Sequence, residues 1–336
     1  MSVPFEIRDI EPNLLEKVLK LFPTRKDGYV HAGSKNYFLL SKYREEATHY
    51  YNLELRPDDV WIVAFPRSGS TWTQEMAWLI DNDLNYERAR NEKLTQRSIF
   101  FEHSLLMPNG YIKDLLEKNR DDPAKLEFLK DKFTPSYERV AKMKSPRHVK
   151  THFPFSLLPP KLLDTCKVIY VARNPKDVAV SYFYLYQLKG ALQKDAEFSQ
   201  FWDLFQNDLV NWSPFWSHLE EAWSFVEHKN LLVLFYEDMT KDLSAVIRRT
   251  ASFLGKSITD EQVSELAEYL CIDNFRKQPS LQHVMDNAKG MKEDVPGFYR
   301  KGESGAWRSM FPPELSAKAD EWIQEHEKRT DISFRY

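Results

Sequence analysis

Cysteine is nearly absent: Cys166 and Cys271 are the only two in 336 residues. Two thiols cannot make a disulfide framework, so a reducing compartment is expected. No apolar run approaches the roughly 18 residues that a membrane span needs. The opening Met1-Ser-Val-Pro-Phe-Glu-Ile-Arg-Asp9 lacks the basic region and apolar stretch of a signal peptide. Ser2 stands where myristoylation needs glycine, and no C-terminal cysteine offers a prenylation site. A cytoplasmic location with no membrane partner is therefore expected. Neither charge is in excess: 47 Lys and Arg against 50 Asp and Glu leave a net −3. That argues against nucleic acid as a general partner. Repeats and low-complexity tracts are also missing. With 42% hydrophobic and 29% charged residues, the collagen-like, fibrous and disordered classes are excluded.

Aromatic residues are plentiful, at 14%, which suits a large core and equally a pocket for flat apolar molecules. The length exceeds the roughly 100–200 residues of an average domain, but open α/β folds often reach it as one unit. A single domain over residues 1–336 is expected.

Three short apolar runs, Val60–Phe65, Val168–Ala172 and Leu231–Tyr236, predict strands buried on both faces, as in a parallel sheet. The spacing of Trp72, Met76, Leu79 and Ile80 predicts a helix from Ser70. Asn174-Pro175 supplies an N-cap and first-turn pair for a helix reaching about Lys189. Further helices are predicted from about Lys241 to Leu254, stopped by Gly255, and over Asp260–Leu270 and Glu314–Lys328. Residues 280–305 read as a loop. The stretch of about 83–145 is rich in charge and broken by prolines. It is expected to form surface helices and loops attached to the core, either a lid or a peripheral decoration. Alternating strands and helices imply an α/β three-layer sandwich with a central parallel sheet.

Between the first core strand and its helix lies Phe65-Pro-Arg-Ser-Gly-Ser-Thr-Trp72. Such a turn gathers unpaired backbone N–H groups at the positive end of a helix and so binds phosphate. Gly69 allows close approach, Ser68, Ser70 and Thr71 offer hydroxyls, and Arg67 adds a charge. A plain strand-to-helix connection would look similar. The turn is P-loop-like without being a Walker A motif, because no lysine follows the second glycine. Magnesium would also want an acid at the end of a later strand. Asp238 is the nearest, but Glu237-Asp238 serves equally well as a helix cap. Phosphate binding without a metal is expected; a P-loop kinase would instead need ATP and magnesium.

Val149-Lys-Thr-His-Phe-Pro154 puts Lys150 and His152 at a strand end, where open α/β sheets bind ligands. A lone histidine is more often structural than catalytic. Arg173-Asn-Pro-Lys-Asp177, with Ser181 two turns on, reads as a second anion site or a surface ion pair between Arg173 and Asp177. Phe298-Tyr-Arg-Lys-Gly302 is a basic loop that alone would pass for a solvated one.

Taken together, Phe65–Trp72, Lys150–Pro154, Tyr170–Ser181, Phe235–Met239 and Arg300-Lys-Gly302 with Trp307 resemble the cytosolic sulfotransferase family, element for element and in order. The insect branch that includes retinol dehydratase looks most similar. The resemblance implies transfer of a sulfonate group from 3′-phosphoadenosine-5′-phosphosulfate (PAPS) to a hydroxyl of a small lipophilic acceptor such as a phenol, steroid or other alcohol. It assigns the 5′-phosphosulfate to Arg67, Ser68, Gly69, Ser70 and Thr71, and adenine to Trp72, Tyr236 and Phe275 with Phe298 nearby. Arg173, Ser181, Arg300, Lys301 and Gly302 would hold the 3′-phosphate. His152 would be the base, with Arg67 and Lys150 sharing the catalytic work. Phe100, Phe101, Phe153, Phe155 and Tyr182 flank these motifs as candidates for the acceptor pocket, though core packing would explain them as well. Two alternatives stay open: sulfonation-driven dehydration of a retinoid, and a silent protein that binds the nucleotide product PAP or a lipid.

Three departures stand out. The family usually has lysine where Arg67 stands, which implies an altered rate, since arginine is bulkier and never deprotonated. The stretch between Trp72 and His152 is longer than in common vertebrate members. The family's dimer motif is poorly matched by Arg308–Ala317, with Pro312-Pro313 inside it, so a homodimer of that kind is in doubt.

Overall fold

The computed structural model describes residues 2–281 and 304–334. Its centre is a five-stranded parallel sheet in the order β5-β6-β4-β7-β8. The strands are β4 (Val60–Val63), β5 (Ser98–Phe100), β6 (His148–Thr151), β7 (Lys167–Ala172) and β8 (Leu231–Phe235). Side chains alternate between the two faces of such strands, and here both faces are apolar. Trp61, Val63, Val149, Val168 and Tyr170 enter one core, whereas Val60, Ile62, Ala64, Ile169 and Val171 enter the other.

Helices cover both sides, giving three layers. Against the second core pack the helices Ser70–Asp81, Leu243–Leu254 and Asp260–Leu270. Met76, Leu79 and Ile80 are buried there as their spacing predicts. Against the first core pack Pro175–Leu188, Phe198–Gln206, Phe215–Trp223 and Pro313–Glu327. The helix predicted from about Lys241 to Leu254 is Leu243–Leu254, opened by Asp242, whose carboxylate accepts from Ala245 N at 2.9 Å, and a separate short helix, Tyr236–Lys241, precedes it. Gly255 ends the second piece at φ 76°. Pro312-Pro313 opens the last helix.

Two features depart from the sequence reading. An antiparallel sheet of β1 (Ile7–Asp9), β2 (Tyr29–Ala32) and β3 (Tyr37–Leu40) precedes the main sheet, its strands too short to announce themselves by periodicity. The stretch of about 83–145, expected wholly at the surface, divides. Its first third supplies β5, which pairs with β6 from Ser98↔His148 to Phe100↔Lys150, and Phe101, Glu102 and Leu105 behind it are buried. The helices Asn109–Lys118 and Pro123–Lys132 are peripheral: Leu129 is their one buried residue, and Tyr111 and Phe128 are exposed.

Candidate active site

The carboxyl ends of β4, β6 and β7 converge on a cavity of about 260 Å³. This is where open parallel sheets bind ligands, because helix N-termini and loose loop backbone gather there. After β4 the chain turns through Pro66-Arg67-Ser68-Gly69 into the helix at Ser70. Arg67 sits at φ 72° and Gly69 at φ 106°. A side chain at Gly69 would be strained, and its Cβ would come within 2.7 Å of the Tyr236 ring. Tyr236 thus presses directly on the turn. Ser68 Oγ is buried with no hydrogen-bond partner among the described residues, a hydroxyl held ready for an oxygen-rich ligand.

Arg67 and Arg173 are knitted together. Arg67 Nε donates to Ser181 Oγ at 3.0 Å, and Arg173 Nη1 donates to Arg67 O at 3.1 Å. The Arg173 guanidinium lies over the Tyr236 ring, 3.9 Å from its centroid. Two cations gathered at a helix N-terminus with an uncompensated hydroxyl make an anion cradle. Trp72, Tyr236 and Phe275 line the same cavity. Trp72 is fixed by a 2.9 Å bond from Nε1 to Leu270 O.

Asp177 is not the exposed partner of Arg173 that the sequence allowed. It is buried, and its carboxylate accepts from Gly305 N at 2.7 Å and Trp307 N at 3.1 Å, tying the C-terminal chain to the first turn of the Pro175–Leu188 helix. Glu237 likewise faces inward, accepting from Asn174 N at 2.9 Å. Phe298, Arg300, Lys301 and Gly302 lie outside the described residues.

His152 follows β6 and is buried, its ring between Phe100 and Trp212 at centroid distances of 5.1 and 5.2 Å. Its Nδ1 lies 2.6 Å from Ala64 O. A carbonyl only accepts, so Nδ1 carries the proton and the Nε2 lone pair remains for other work. The main chain of His152 is clamped from both sides. Glu102 accepts from His152 N, and His218 Nε2 donates to His152 O at 3.0 Å. His218 is oriented by Tyr170, whose hydroxyl donates to Nδ1 at 2.8 Å.

Of the five aromatic residues proposed for the acceptor pocket, the structure brings Phe100 and Tyr182 to the cavity wall. Phe101 and Phe153 are fully buried against Tyr50 in the core below it, and Phe155 packs on Tyr170 and Phe225. For Phe101 and Phe153 the reason is alternation, since the neighbour of a cavity residue points to the opposite side; Phe155 lies beyond the strand, in the short helix Phe155–Leu157. Leu94, His103, Leu106, Tyr186, Asn211 and Trp212 line the wall instead. None was singled out from sequence: Tyr186 stands late in the Pro175–Leu188 helix, and the others come from loops and short elements without a periodic signature.

The chain matches the family model described as "Sulfotransferase domain" over residues 57–331. It belongs to the sulfotransferase family. It is 31% identical over 292 residues to sulfotransferase 1 family member D1 of Rattus norvegicus, covering 87% of this chain and 90% of that one. It is 30% identical over 305 residues to luciferin sulfotransferase of Photinus pyralis, covering 88% and 79%. Among solved structures, retinol dehydratase in complex with retinol and PAP superposes with a TM-score of 0.91 at 35% identity over 100% of both chains. The same enzyme with androsterone and PAP gives 0.91 at 34%, covering 99% of each. The chain is thus a sulfotransferase enzyme that moves a sulfonyl group to small acceptors.

The electrostatics of this sulfotransferase are set by burial. Burial, then the nearby Lys150 charge, holds the His152 imidazole well below the ordinary histidine range. Lys150 itself is brought down to about 8 by burial, against the pull of Glu102, and its Nζ sits 4.5 Å from the Phe100 ring centroid. Glu102 is pushed up to about 8, again by burial, although Thr151 Oγ1 donates to it at 2.8 Å. Imidazole, ammonium and carboxyl are thus packed close together beside the cavity, where fixed charges act strongly. Among the described residues no group of three His, Cys, Asp or Glu side chains could hold a metal ion, and no helix is long and apolar enough to cross a membrane.

Proposed function

We propose that this enzyme transfers the sulfonate of PAPS to the hydroxyl of a small lipophilic acceptor, with His152 as the general base. The observation that carries this reading is the fixed tautomer of His152. With Nδ1–H engaged by Ala64, Nε2 makes no hydrogen bond among the described residues and belongs to a ring that lines the cavity. Its depressed proton affinity keeps that atom unprotonated at neutral pH.

The residues present fit the donor. PAPS supplies an activated sulfonate and a phosphate leaving group. Arg67, the Ser68 hydroxyl and the backbone from Gly69 to Thr71 would hold its 5′ end, and Arg173 with Ser181 would face its 3′-phosphate, with Arg300, Lys301 and Gly302 completing that hold. Trp72, Tyr236 and Phe275 offer the flat walls that adenine needs. In the transfer, the acceptor oxygen forms a bond to sulfur as the bridging sulfur–oxygen bond breaks and PAP departs. His152 Nε2 takes the hydroxyl proton. Lys150 and Arg67 stabilise the charge gathering on the sulfonate and bridging oxygens. Phe100, Tyr182, Tyr186 and Trp212 would enclose the acceptor, and Leu106 links the insertion to that enclosure. The setting is the cytosol, in keeping with two cysteines that form no disulfide.

The test is incubation with PAPS, EDTA and a panel of phenols, sterols and aliphatic alcohols, with sulfated product expected. Tight PAP binding without turnover of any acceptor would overturn it. The full-length match to retinol dehydratase bound to retinol favours a second reading of the outcome. In that reading a sulfate ester formed on a retinoid is lost to leave an alkene. Sulfur-free product from retinol, dependent on PAPS, would identify it.

A further inference from the structure

The cavity holds more positive charge than the donor reading uses. Arg67, Lys150 and Arg173 are taken up by phosphate and sulfonate. Arg25 and Lys189 line the same cavity, and among its described lining residues there is no aspartate or glutamate. The Lys189 side chain makes no hydrogen bond or ion pair among the described residues, and the one hydrogen bond that the Arg25 side chain gives to a described residue runs 3.5 Å to a carbonyl, Leu106 O. Two cations share a cavity with no counter-charge in its wall.

The place of Lys189 is set by one helix. Ser181, Tyr182, Leu185, Tyr186 and Lys189 all reach the cavity from Pro175–Leu188 and its C-cap. Ser181, bonded by Arg67, marks the donor end. Lys189 stands eight residues later, about 12 Å along the axis at 1.5 Å per residue. Between them lie the apolar surfaces of Tyr182, Leu185 and Tyr186. A lysine at a helix C-terminus is commonly a partner for the helix dipole standing in water. Lys189 is exposed, but it lines the cavity, where desolvation and the Arg25 and Arg67 charges bring its pKa down to about 8. His103, likewise exposed in the cavity wall, has its pKa lowered to about 4 by desolvation and by the Lys189 charge. An anion would relieve both effects.

We propose that the acceptor carries, opposite its reacting hydroxyl, an anionic group, a carboxylate in the simplest case, held by Lys189 and Arg25. This rests on the acceptor site proposed above and narrows it from lipophilic alcohols to lipophilic hydroxy acids of a length that spans the two ends of the cavity.

The probes are ω-hydroxydodecanoate, its methyl ester and dodecanol, assayed with PAPS on the wild type and on Lys189→Met and Arg25→Met, with unfolding temperatures confirming the fold. Calorimetric binding of dodecanoate to the enzyme–PAP complex gives a readout that needs no turnover. The hydroxy acid should show a KM roughly tenfold to a hundredfold below that of its ester, as a charge-assisted bond predicts. Lys189→Met should erase that difference, leaving dodecanol turnover and PAP affinity unchanged. Equal KM values for acid and ester in the wild type would overturn the proposal. So would a Lys189→Met variant that weakens PAP rather than dodecanoate, which would assign the lysine to the donor. If no hydroxyl compound is sulfated, the functional reading fails. Dodecanoate binding that depends on Lys189 would then still support an anion subsite, and its absence would overturn it.

Discussion

His152 Nδ1 lies 2.6 Å from the carbonyl oxygen of Ala64, the residue that follows β4. The bond therefore joins two neighbouring strands of the sheet, β6 and β4, at their carboxyl ends. Ala64 belongs to the strand that delivers the phosphate-binding turn, so the proposed base and the anion cradle are set against each other by a single piece of backbone. No flexible side chain intervenes.

The pH profile should reflect that setting. Because the His152 proton affinity is depressed, the base form persists as pH falls through the ordinary histidine value of about 6.5. The acid limb of kcat/KM should therefore lie clearly below pH 6.5. Lys150 loses its proton as pH rises through about 8, so an alkaline limb is expected near there in kcat/KM. In kcat it should move upward, since a bound anionic donor favours the charged ammonium. Steady-state rates from pH 5 to 10 check both limbs. An acid limb at 6.5 would mean that the imidazole is solvated. His152→Asn should lower kcat by roughly 10²–10⁴-fold with PAP affinity retained.

Gly69 offers a test of the turn itself. Gly69→Ala puts a Cβ against Tyr236 at 2.7 Å and forces a side chain to φ 106°. Strain of this kind costs about 1–3 kcal/mol. Displacing Tyr236 also disturbs the ring beneath the Arg173 guanidinium. The expected result is a lowered unfolding temperature together with PAP affinity reduced at least tenfold, read by calorimetry. Unchanged PAP affinity would separate the turn from the nucleotide.

Much of this arrangement is legible in the sequence, and the reason is local chemistry. Strand Val60–Val63, the turn at Gly69 and the cap at Asn174 each announce themselves within a few residues, because apolar runs, glycine and Asn-Pro have strong local preferences. Glu102 could not be read that way. It sits in a stretch dominated by charge, and its value comes from meeting His152 N and Thr151 Oγ1 some 50 positions on. Trp212 and Lys189 share this character, since each becomes a wall of the site only when separate elements close around it. Phe101 and Phe153 misled for the converse reason: adjacency to a motif in sequence places a side chain on the far side of the strand.

Glu102 should behave as a positioning residue. Glu102→Ala leaves the His152 amide and the Thr151 hydroxyl as buried donors without an acceptor, at about 1–3 kcal/mol each. Glu102→Gln keeps an acceptor oxygen and removes the ionisable group. The alanine variant should unfold at lower temperature and lose kcat. The glutamine variant should stay near wild-type stability, with the Lys150 alkaline limb moved to lower pH because the carboxylate no longer supports the ammonium. An alkaline limb that stays in place would show that Glu102 acts on the fold alone.

Arg67 raises the question of why a forked cation stands where lysine is the family's usual choice. Its Nε donates to Ser181 Oγ, which ties the donor turn to the helix that forms the cavity wall. Arg67→Lys keeps the charge and gives up this tie, whereas Ser181→Ala gives up the tie and keeps the guanidinium. If charge at the breaking bond is what matters, Arg67→Lys should hold kcat within about tenfold of wild type, and Arg67→Met should lose roughly 10²–10³-fold, as for a missing transition-state donor. Ser181→Ala should then raise the KM for PAPS more than it lowers kcat. Equal losses in Arg67→Lys and Arg67→Met would assign the role to the guanidinium geometry, and a double variant with Ser181→Ala no worse than Arg67→Lys alone would locate that geometry in the Nε contact.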